Sequence, residues 1–563
     1  MRLSTDERRD EERALETIAA AAEAGITVFD TARAYGGGEA ELGHNERLLA
    51  RGLRRCGADA SARIVTKGGM TRRGGGWIPD GRAKAIRSDC EASLAALDGL
   101  AIDLYLIHAP DPRTPWRTSV RALARLVDEG VVRRVGLANV NRGQLDEALE
   151  LAPVTAVQVA LSPFEHRSLR GGVVERCAEA GTALIAHSPL GGPRRAGGLA
   201  RLQALADIAE ARGATPAEVA LAWLLDLSPA VVAIPGARRP ETARSAAGAA
   251  KVGLDAGDRE VLARAFGVPR PARREHPRPP DDGEVVLVMG IPGAGKSRVA
   301  EDYVARGYLR LNRDERGGSL RDLAAALDDE LASGVRRLIL DNTYLTRAAR
   351  SYVIETASRH GLPARCIWLD TPLAQAQVNL VERLLERFGS LPTPEELREL
   401  ARREQGLLAP TSQMRAFREL EPPSTDEGLA GVEQVSFSRV PSHGRMGGFV
   451  AAAALRSPGW EDALAEVDRQ APHVVFHWNP EGTLDELAAL AASLRAAVSG
   501  PVETALCPHA AGPPTCWCRP PLPGLPLAFA RAHGVDPSRS TLVGTGPAHR
   551  TLATALGARY VQV

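Results

Sequence analysis

The chain has 563 residues, with 70 Lys plus Arg against 69 Asp plus Glu, 44% hydrophobic and 25% charged side chains. Such a length implies roughly three to four domains rather than one core, and the net charge of +1 excludes the broad field of a nonspecific nucleic-acid or anionic-lipid binder. The composition is that of a globular chain and excludes wholesale disorder.

Met1 to Glu12 are crowded with Asp, Glu and Arg and lack the apolar stretch of a secretory signal. No run approaches the roughly 18 apolar residues that span a bilayer. Seven cysteines in so long a chain do not make a disulfide scaffold, and three of them, Cys507, Cys516 and Cys518, cluster near the end. A reducing cytoplasm without membrane contact is the expected setting.

An amphipathic helix is predicted over Asp6 to Ala24. From Ile26 to Ala237, short β-branched runs alternate with longer Ala-, Leu- and Arg-rich stretches, the pattern of repeated βα units. The predicted strands are Ile26 to Thr31, Arg63 to Lys67, Ile102 to His108, Val132 to Asn139, Ala156 to Leu161, Thr182 to Ser188 and Ala230 to Pro235. A closed (β/α)8 TIM-type barrel needs eight strands. Seven predict an α/β barrel whose first strand either precedes the recorded Met1 or is missing from the barrel.

Barrel chemistry is carried at the C-terminal ends of strands, where this sequence places Asp30 and Tyr35, Lys67, and His108. A carbonyl reduction needs a proton donor at oxygen while hydride arrives at carbon. Tyr35 is the natural acid, but a phenol titrates near 10, so a neighbouring cation is needed to bring it toward working pH. Lys67 can supply that cation, Asp30 can orient it, and His108 can hydrogen-bond the carbonyl oxygen. Residues 1 to 267 resemble the aldo-keto reductase family, whose D-T-A-x-x-Y-G motif stands here as Asp30 to Gly36. The resemblance implies a barrel enzyme that uses NADPH on a small-molecule carbonyl substrate, with those four residues in the stated roles. It further implies Asn139 and Gln158 at the nicotinamide carboxamide, Ser188, Leu190 and Gly191 over the cofactor, and Arg238 at the 2'-phosphate, where a guanidinium suits bidentate contact. Ala138 stands where the family has a serine, and Ser245-Ala246 where it has Glu-Asn.

Val268 to Gly283 hold five prolines and almost no apolar side chains, which predicts an exposed semi-rigid linker. Beyond it, the apolar run Glu284 to Met289 leads into Gly290-Ile291-Pro292-Gly293-Ala294-Gly295-Lys296-Ser297 and a helical stretch. This is a complete G-x-x-x-x-G-K-S in strand-loop-helix context. Gly290, Gly293 and Gly295 let backbone N–H groups converge on phosphates, Lys296 meets the β and γ phosphates, and Ser297 can ligate Mg²⁺, so ATP with Mg²⁺ is expected. The segment 284 to 423 resembles the kinase domain of polynucleotide 5'-hydroxyl kinases through Asn312-Arg313-Asp314 and Asp341-Asn342-Thr343. That resemblance implies Asp314 as general base and a nucleic-acid 5'-hydroxyl end as acceptor; a small-molecule hydroxyl stays open, since balanced charge argues against broad phosphate binding. Arg347, Arg383 and Arg387 are positioned like arginines facing acceptor or triphosphate.

Cys507, His509, Cys516 and Cys518 offer three thiolates and one imidazole, a tetrahedral Zn²⁺ set with no open position. The stretch Cys507 to Val563 resembles the zinc-containing phosphatases of the haloacid dehalogenase superfamily through Cys516-Trp517-Cys518-Arg519-Pro520-Pro521-Leu522-Pro523-Gly524. Their two catalytic aspartates are expected after a strand near Ser436 to Val440, which contains none. Residues 431 to 563 are therefore expected to form a small Rossmann-like, phosphatase-like domain that keeps its metal and has lost covalent phosphoryl transfer. Two readings stay open: a reductase fused to a kinase, or an active kinase flanked by two binding scaffolds.

Overall fold

A computed structural model describes residues 2–6, 9–193, 195–267, 283–403, 407–437 and 444–563. The linker read at Val268 to Gly283 lies outside the described residues, Gly283 excepted. The chain forms two compact units, residues 1–271 and 272–563.

In the first unit, helix α1 (Glu11–Glu23) begins where Asp10 caps the backbone N–H of Arg13. Seven parallel strands follow: β1 (Val28–Asp30), β2 (Arg63–Gly68), β5 (Ile102–Ile107), β6 (Val135–Ala138), β7 (Val154–Ala160), β8 (Ala183–His187) and β9 (Val231–Ile234), paired in that order. Between β2 and β5 a hairpin of β3 (Met70–Arg73) and β4 (Gly76–Pro79) is turned by Gly74 and Gly75, both with positive φ. All of β5 and most of β2 are buried, as parallel strands covered on both faces must be. Val65, Leu104, Leu106, Ala138, Ala156 and Ile185 form one cluster, separate from the larger one between the strands and the surrounding helices.

The sheet curls without closing. Among the described residues β1 and β9 have no partner on their outer edges, and Val28 and Val232 are each 42% exposed along that seam. Outside it, α1 packs against α2 (Pro240–Gly248), with Glu23 and Arg244 paired at 3.8 Å. Among the described residues the sheet consists of the seven strands read from the sequence.

The second unit holds two five-stranded parallel sheets. The first has the order β11 (Leu309–Asn312), β12 (Arg337–Asp341), β10 (Glu284–Met289), β13 (Ala364–Asp370), β14 (Gly431–Ser436). The second has the order β17 (Val502–Cys507), β16 (His473–Trp478), β15 (Gly448–Ala451), β18 (Thr541–Gly544), β19 (Arg559–Gln562). Two expectations need correction. Gly431–Ser436 pairs in register with Arg365–Asp370, so it closes the P-loop sheet rather than opening the last domain. The central strand of the last sheet is Gly448–Ala451, so the turn after it is made of Ala452 and Ala453. Under the phosphatase resemblance, the two aspartates would be expected at that turn rather than at Ser436 to Val440, of which residues 438–440 lie outside the described residues. Finally, helix α4 (Leu373–Phe388) shares one core with the last sheet: Val378, Val381, Leu384 and Leu385 pack with Phe449, Trp517, Leu522 and Leu527. The two sheets are thus parts of one compact unit.

Candidate functional site

In the first unit, Asp30 ends β1, Lys67 lies at the end of β2 and His108 directly follows β5. Lys67 is fully buried, and its Nζ donates to Asp30 Oδ1 and Oδ2 at 2.7 and 2.8 Å, to Thr31 O at 2.8 Å and to the Tyr35 hydroxyl at 3.4 Å. The His108 ring stands edge-on to Tyr35, 5.5 Å between centroids. The four predicted residues therefore converge. Burial would depress the Lys67 ammonium, but Asp30 and Tyr35 hold it above its ordinary value. Burial likewise outweighs Lys67 at Tyr35 and leaves the phenol above its usual range. The expected lowering does not occur, and at neutral pH the phenol is a fully protonated donor. Burial, aided by Lys67, pushes His108 down to about 3, so its imidazole is neutral. Among the described residues, its buried Nδ1 has no hydrogen-bond partner.

These groups open on a cavity of about 1490 Å³ that runs from Tyr35, Trp77 and His108 past Asn139, Gln158, Ser188 and Leu190 to Arg238, and down through the seam to Arg63 and Arg134. Gln158 Nε2 donates to Asp30 Oδ1 at 2.7 Å, and Asn139 Nδ2 to His108 O at 2.9 Å. Asn139 and Ser188 both adopt positive φ, +58° and +53°, a backbone strain typical of ligand-facing turns. Gly191, at φ +79°, abuts Phe164 so closely that a Cβ would collide with the ring. Ala246 lines the cavity, whereas Ser245 is spent on Glu218 at 2.8 Å. Arg238 is paired with Asp6 at 2.8 Å.

Sequence reasoning missed Trp77 and His187. Trp77 stands 6.0 Å from Tyr35 and 5.8 Å from His108, beneath the Arg72 guanidinium; the Gly74-Gly75 turn was the signal for the hairpin that carries it. His187 hydrogen-bonds Asn139 Oδ1 at 3.1 Å and Ser188 Oγ at 3.3 Å.

In the second unit, Gly290, Gly293 and Gly295 all have positive φ, and helix α3 (Lys296–Ala305) follows. Lys296 Nζ folds back onto Gly290 O and Ile291 O, 3.0 Å each, and burial brings it down to about 8 against the pull of Asp341. Ser297 is exposed at the head of α3. Asn312 Oδ1 caps a one-turn helix through Asp314 N at 2.7 Å, leaving the Asp314 carboxylate half-exposed. Asp341 is held by Arg310 at 2.7 Å and Asn312 at 2.9 Å. Of the three arginines, Arg383 lies close enough to oppose the Lys296 charge, while Arg347 is paired with Asp426 at 2.9 Å and Arg387 stacks on Phe388.

The four candidate ligand atoms lie within 4.8 Å of one another, with Cys518 Sγ 3.2 Å from His509 Nδ1 and Cys507 Sγ 3.7 Å from Cys516 Sγ. Such spacing fits one tetrahedral ion with Zn–S bonds of roughly 2.3 Å. Trp478 Nε1 donates to His509 O at 2.8 Å, and Arg519 covers the Trp478 ring.

A parallel barrel whose strand ends join a buried Lys–Asp pair to a tyrosine and a neutral histidine defines an oxidoreductase. The sequence matches the model of the aldo/keto reductase family over residues 1–263 and that of an AAA domain over 285–405. It is 30% identical over 274 residues to aldo-keto reductase str7 of Strobilurus tenacellus, covering 44% of this chain and 78% of that protein. It is 33% identical over 269 residues to a probable aldo-keto reductase 1 of Glycine max, covering 42% and 75%. The chain belongs to the aldo/keto reductase family. Similar solved structures include a thermostable aldo-keto reductase bound to epalrestat (31% identity, TM-score 0.40, 46% of this chain and 90% of that one). Another is an aldo/keto reductase from Klebsiella pneumoniae with NADP and acetate (26%, TM-score 0.40, 47% and 88%). Among the described residues no helix is long and apolar enough to cross a membrane.

Proposed function

We propose that the first unit reduces a small aldehyde or ketone with NADPH. The supporting observation is Lys67 Nζ bridging the Asp30 carboxylate and the Tyr35 hydroxyl inside one cavity. The cofactor fit rests on the cavity's continuity from Tyr35 to Arg238 and on the orphaned His108 Nδ1 at its catalytic end. When bound, NADPH supplies hydride to the carbonyl carbon. Tyr35 gives its proton to the carbonyl oxygen, Lys67 stabilises the phenolate left behind, and Asp30 keeps Lys67 charged. Neutral His108 donates a hydrogen bond to the same oxygen. Asn139, Gln158, Ser188, Leu190 and Gly191 would hold the nicotinamide end and Arg238 the 2'-phosphate. Following NADPH absorbance with simple aldehydes tests this: Tyr35→Phe is expected to abolish turnover while leaving NADPH binding intact, and undiminished reduction would refute it.

The second unit supports an ATP- and Mg²⁺-dependent kinase, carried by the complete phosphate-binding loop. Lys296 and Ser297 would hold the phosphates and the metal, and Asp314 would take the acceptor proton, the acceptor being a nucleic-acid 5'-hydroxyl or a small alcohol. Transfer from γ-labelled ATP to 5'-hydroxyl DNA and RNA beside small alcohols tests it; Asp314→Asn at wild-type rate would refute the base assignment. The Cys507–His509–Cys516–Cys518 cluster is proposed to hold structural Zn²⁺. The open seam and the Asp6–Arg238 pair favour the alternative in which the barrel is a scaffold; tight NADPH binding, read by fluorescence titration, would remove it.

A further inference from the structure

Three successive carbonyls of the phosphate-binding loop are held by side chains that follow β13. Gln413 Nε2 donates to Pro292 O at 2.9 Å, Asn379 Nδ2 to Gly293 O at 2.8 Å, and Thr371 Oγ1 to Ala294 O at 3.1 Å. After α5 (Pro394–Arg403) comes α6 (Pro410–Glu419), whose Gln413 is fully buried. On α4, Ala376 and Leu380 press so closely on Gly293 that a Cβ there would collide with the Ala376 carbonyl. The loop that must present its N–H groups to phosphates is therefore set from behind by α4 and α6.

Both helices lie against the segment that carries the cysteine cluster. Trp517, flanked in sequence by Cys516 and Cys518, is 1% exposed, and its Nε1 donates at 3.0 Å to Leu408 O, two residues before α6. Leu391, just beyond α4, packs against the three cysteines, and α4 shares its buried face with Trp517 and Leu522. Two routes thus lead from the cluster to the loop: Trp517, Leu408, Gln413, Pro292, and Leu391, α4, Asn379, Gly293.

We propose that a metal ion in the Cys507–His509–Cys516–Cys518 cluster is a positioning element for the nucleotide pocket, so that affinity of the phosphate-binding loop for a nucleotide depends on that metal. The proposal rests on the zinc and phosphate-loop readings above and adds the coupling between them. Without the ion, four buried or half-buried polar side chains lose their common centre, the Trp517 indole loses its fixed register against Leu408, and α6 is no longer held at Pro292.

The test uses the full chain. Zinc content by elemental analysis first decides the metal reading: about one Zn²⁺ per chain is expected, and none bound after growth and refolding with zinc refutes both that reading and the coupling. Binding of Mg·ADP is then measured by calorimetry before chelation, after it, and after Zn²⁺ is restored, with NADPH affinity as a control for the first unit. Removal should weaken Mg·ADP at least tenfold, restoration should recover it, and NADPH affinity should stay constant. Trp517→Phe keeps all four ligands and the aromatic packing but removes the Leu408 bond; it should retain zinc and still bind Mg·ADP several-fold more weakly. Unchanged Mg·ADP affinity in both the metal-free protein and Trp517→Phe would overturn the coupling while leaving the zinc site standing.

Discussion

Replacing Lys67 with methionine removes one member of a buried ion pair while nearly preserving side-chain volume. At 2.7 Å the Lys67–Asp30 attraction is about 6 kcal/mol at an effective dielectric constant of 20, and much of it offsets the desolvation of both ions. The net contribution of the pair is therefore small, but its half-removal is not: Asp30, only 12% exposed, would keep a single hydrogen-bond donor, Gln158. We expect Lys67→Met to lose about 3–5 kcal/mol in urea-induced unfolding. Lys67→Met/Asp30→Asn should recover a large part of that loss, because the orphaned charge disappears with its partner. Activity behaves differently, since the phenolate left by Tyr35 then has no cation; kcat should fall by about 10²–10⁴ in both variants. Unfolding at wild-type denaturant concentration together with unaltered kcat would refute the reasoning, as would a double variant no more stable than the single one.

His108 is pushed down to about 3, whereas the unfolded chain binds this proton near pH 6.5. Its contribution to stability is complete above that value and is lost as pH falls, by up to ~1.4 kcal/mol per pH unit. His108→Gln should flatten that limb in pH-stepped urea titrations; identical slopes would contradict the assignment. Lys296, brought to about 8 by burial, should make Mg·ADP affinity fall as pH rises through 8, and Lys296→Met should abolish binding; a flat profile to pH 9.5 would count against its phosphate role. Asp6 occupies Arg238 through a partly exposed pair, so Asp6→Asn should tighten NADPH by up to about fivefold and leave NADH unchanged. Equal tightening of both would show that Arg238 does not read the 2'-phosphate.

Much of this was legible in the sequence because it is carried by local pattern. The barrel strands away from the seam are buried on both faces and read as apolar β-branched runs, and no such run before Ile26 is legible to cover the seam between Val28 and Val232. The phosphate loop and the cysteine cluster were legible because their chemistry fixes spacing. Periodicity does not say which sheet a strand joins, so the sequence does not reveal that Gly431–Ser436 pairs with Arg365–Asp370. In the last sheet, Gly448–Ala451 and Val502–Cys507 are hard to read for lack of contrast: the first runs into a stretch of alanines, and the second carries Glu503 and Thr504 in its middle. The direction of the Tyr35 shift depends on burial, which a motif does not report. Thr371, Asn379 and Gln413 resemble ordinary helix and loop polar residues, and only tertiary packing brings them to the phosphate loop.

Two separate nucleotide pockets on one chain, one for a hydride donor and one for a triphosphate, are most directly tested by sequential calorimetric titration of the same sample with NADPH and then Mg·ADP. One equivalent of each, with the affinity of the second unaffected by saturation with the first, is the predicted result. Competition between the two, or failure of NADPH to bind at all, would contradict it.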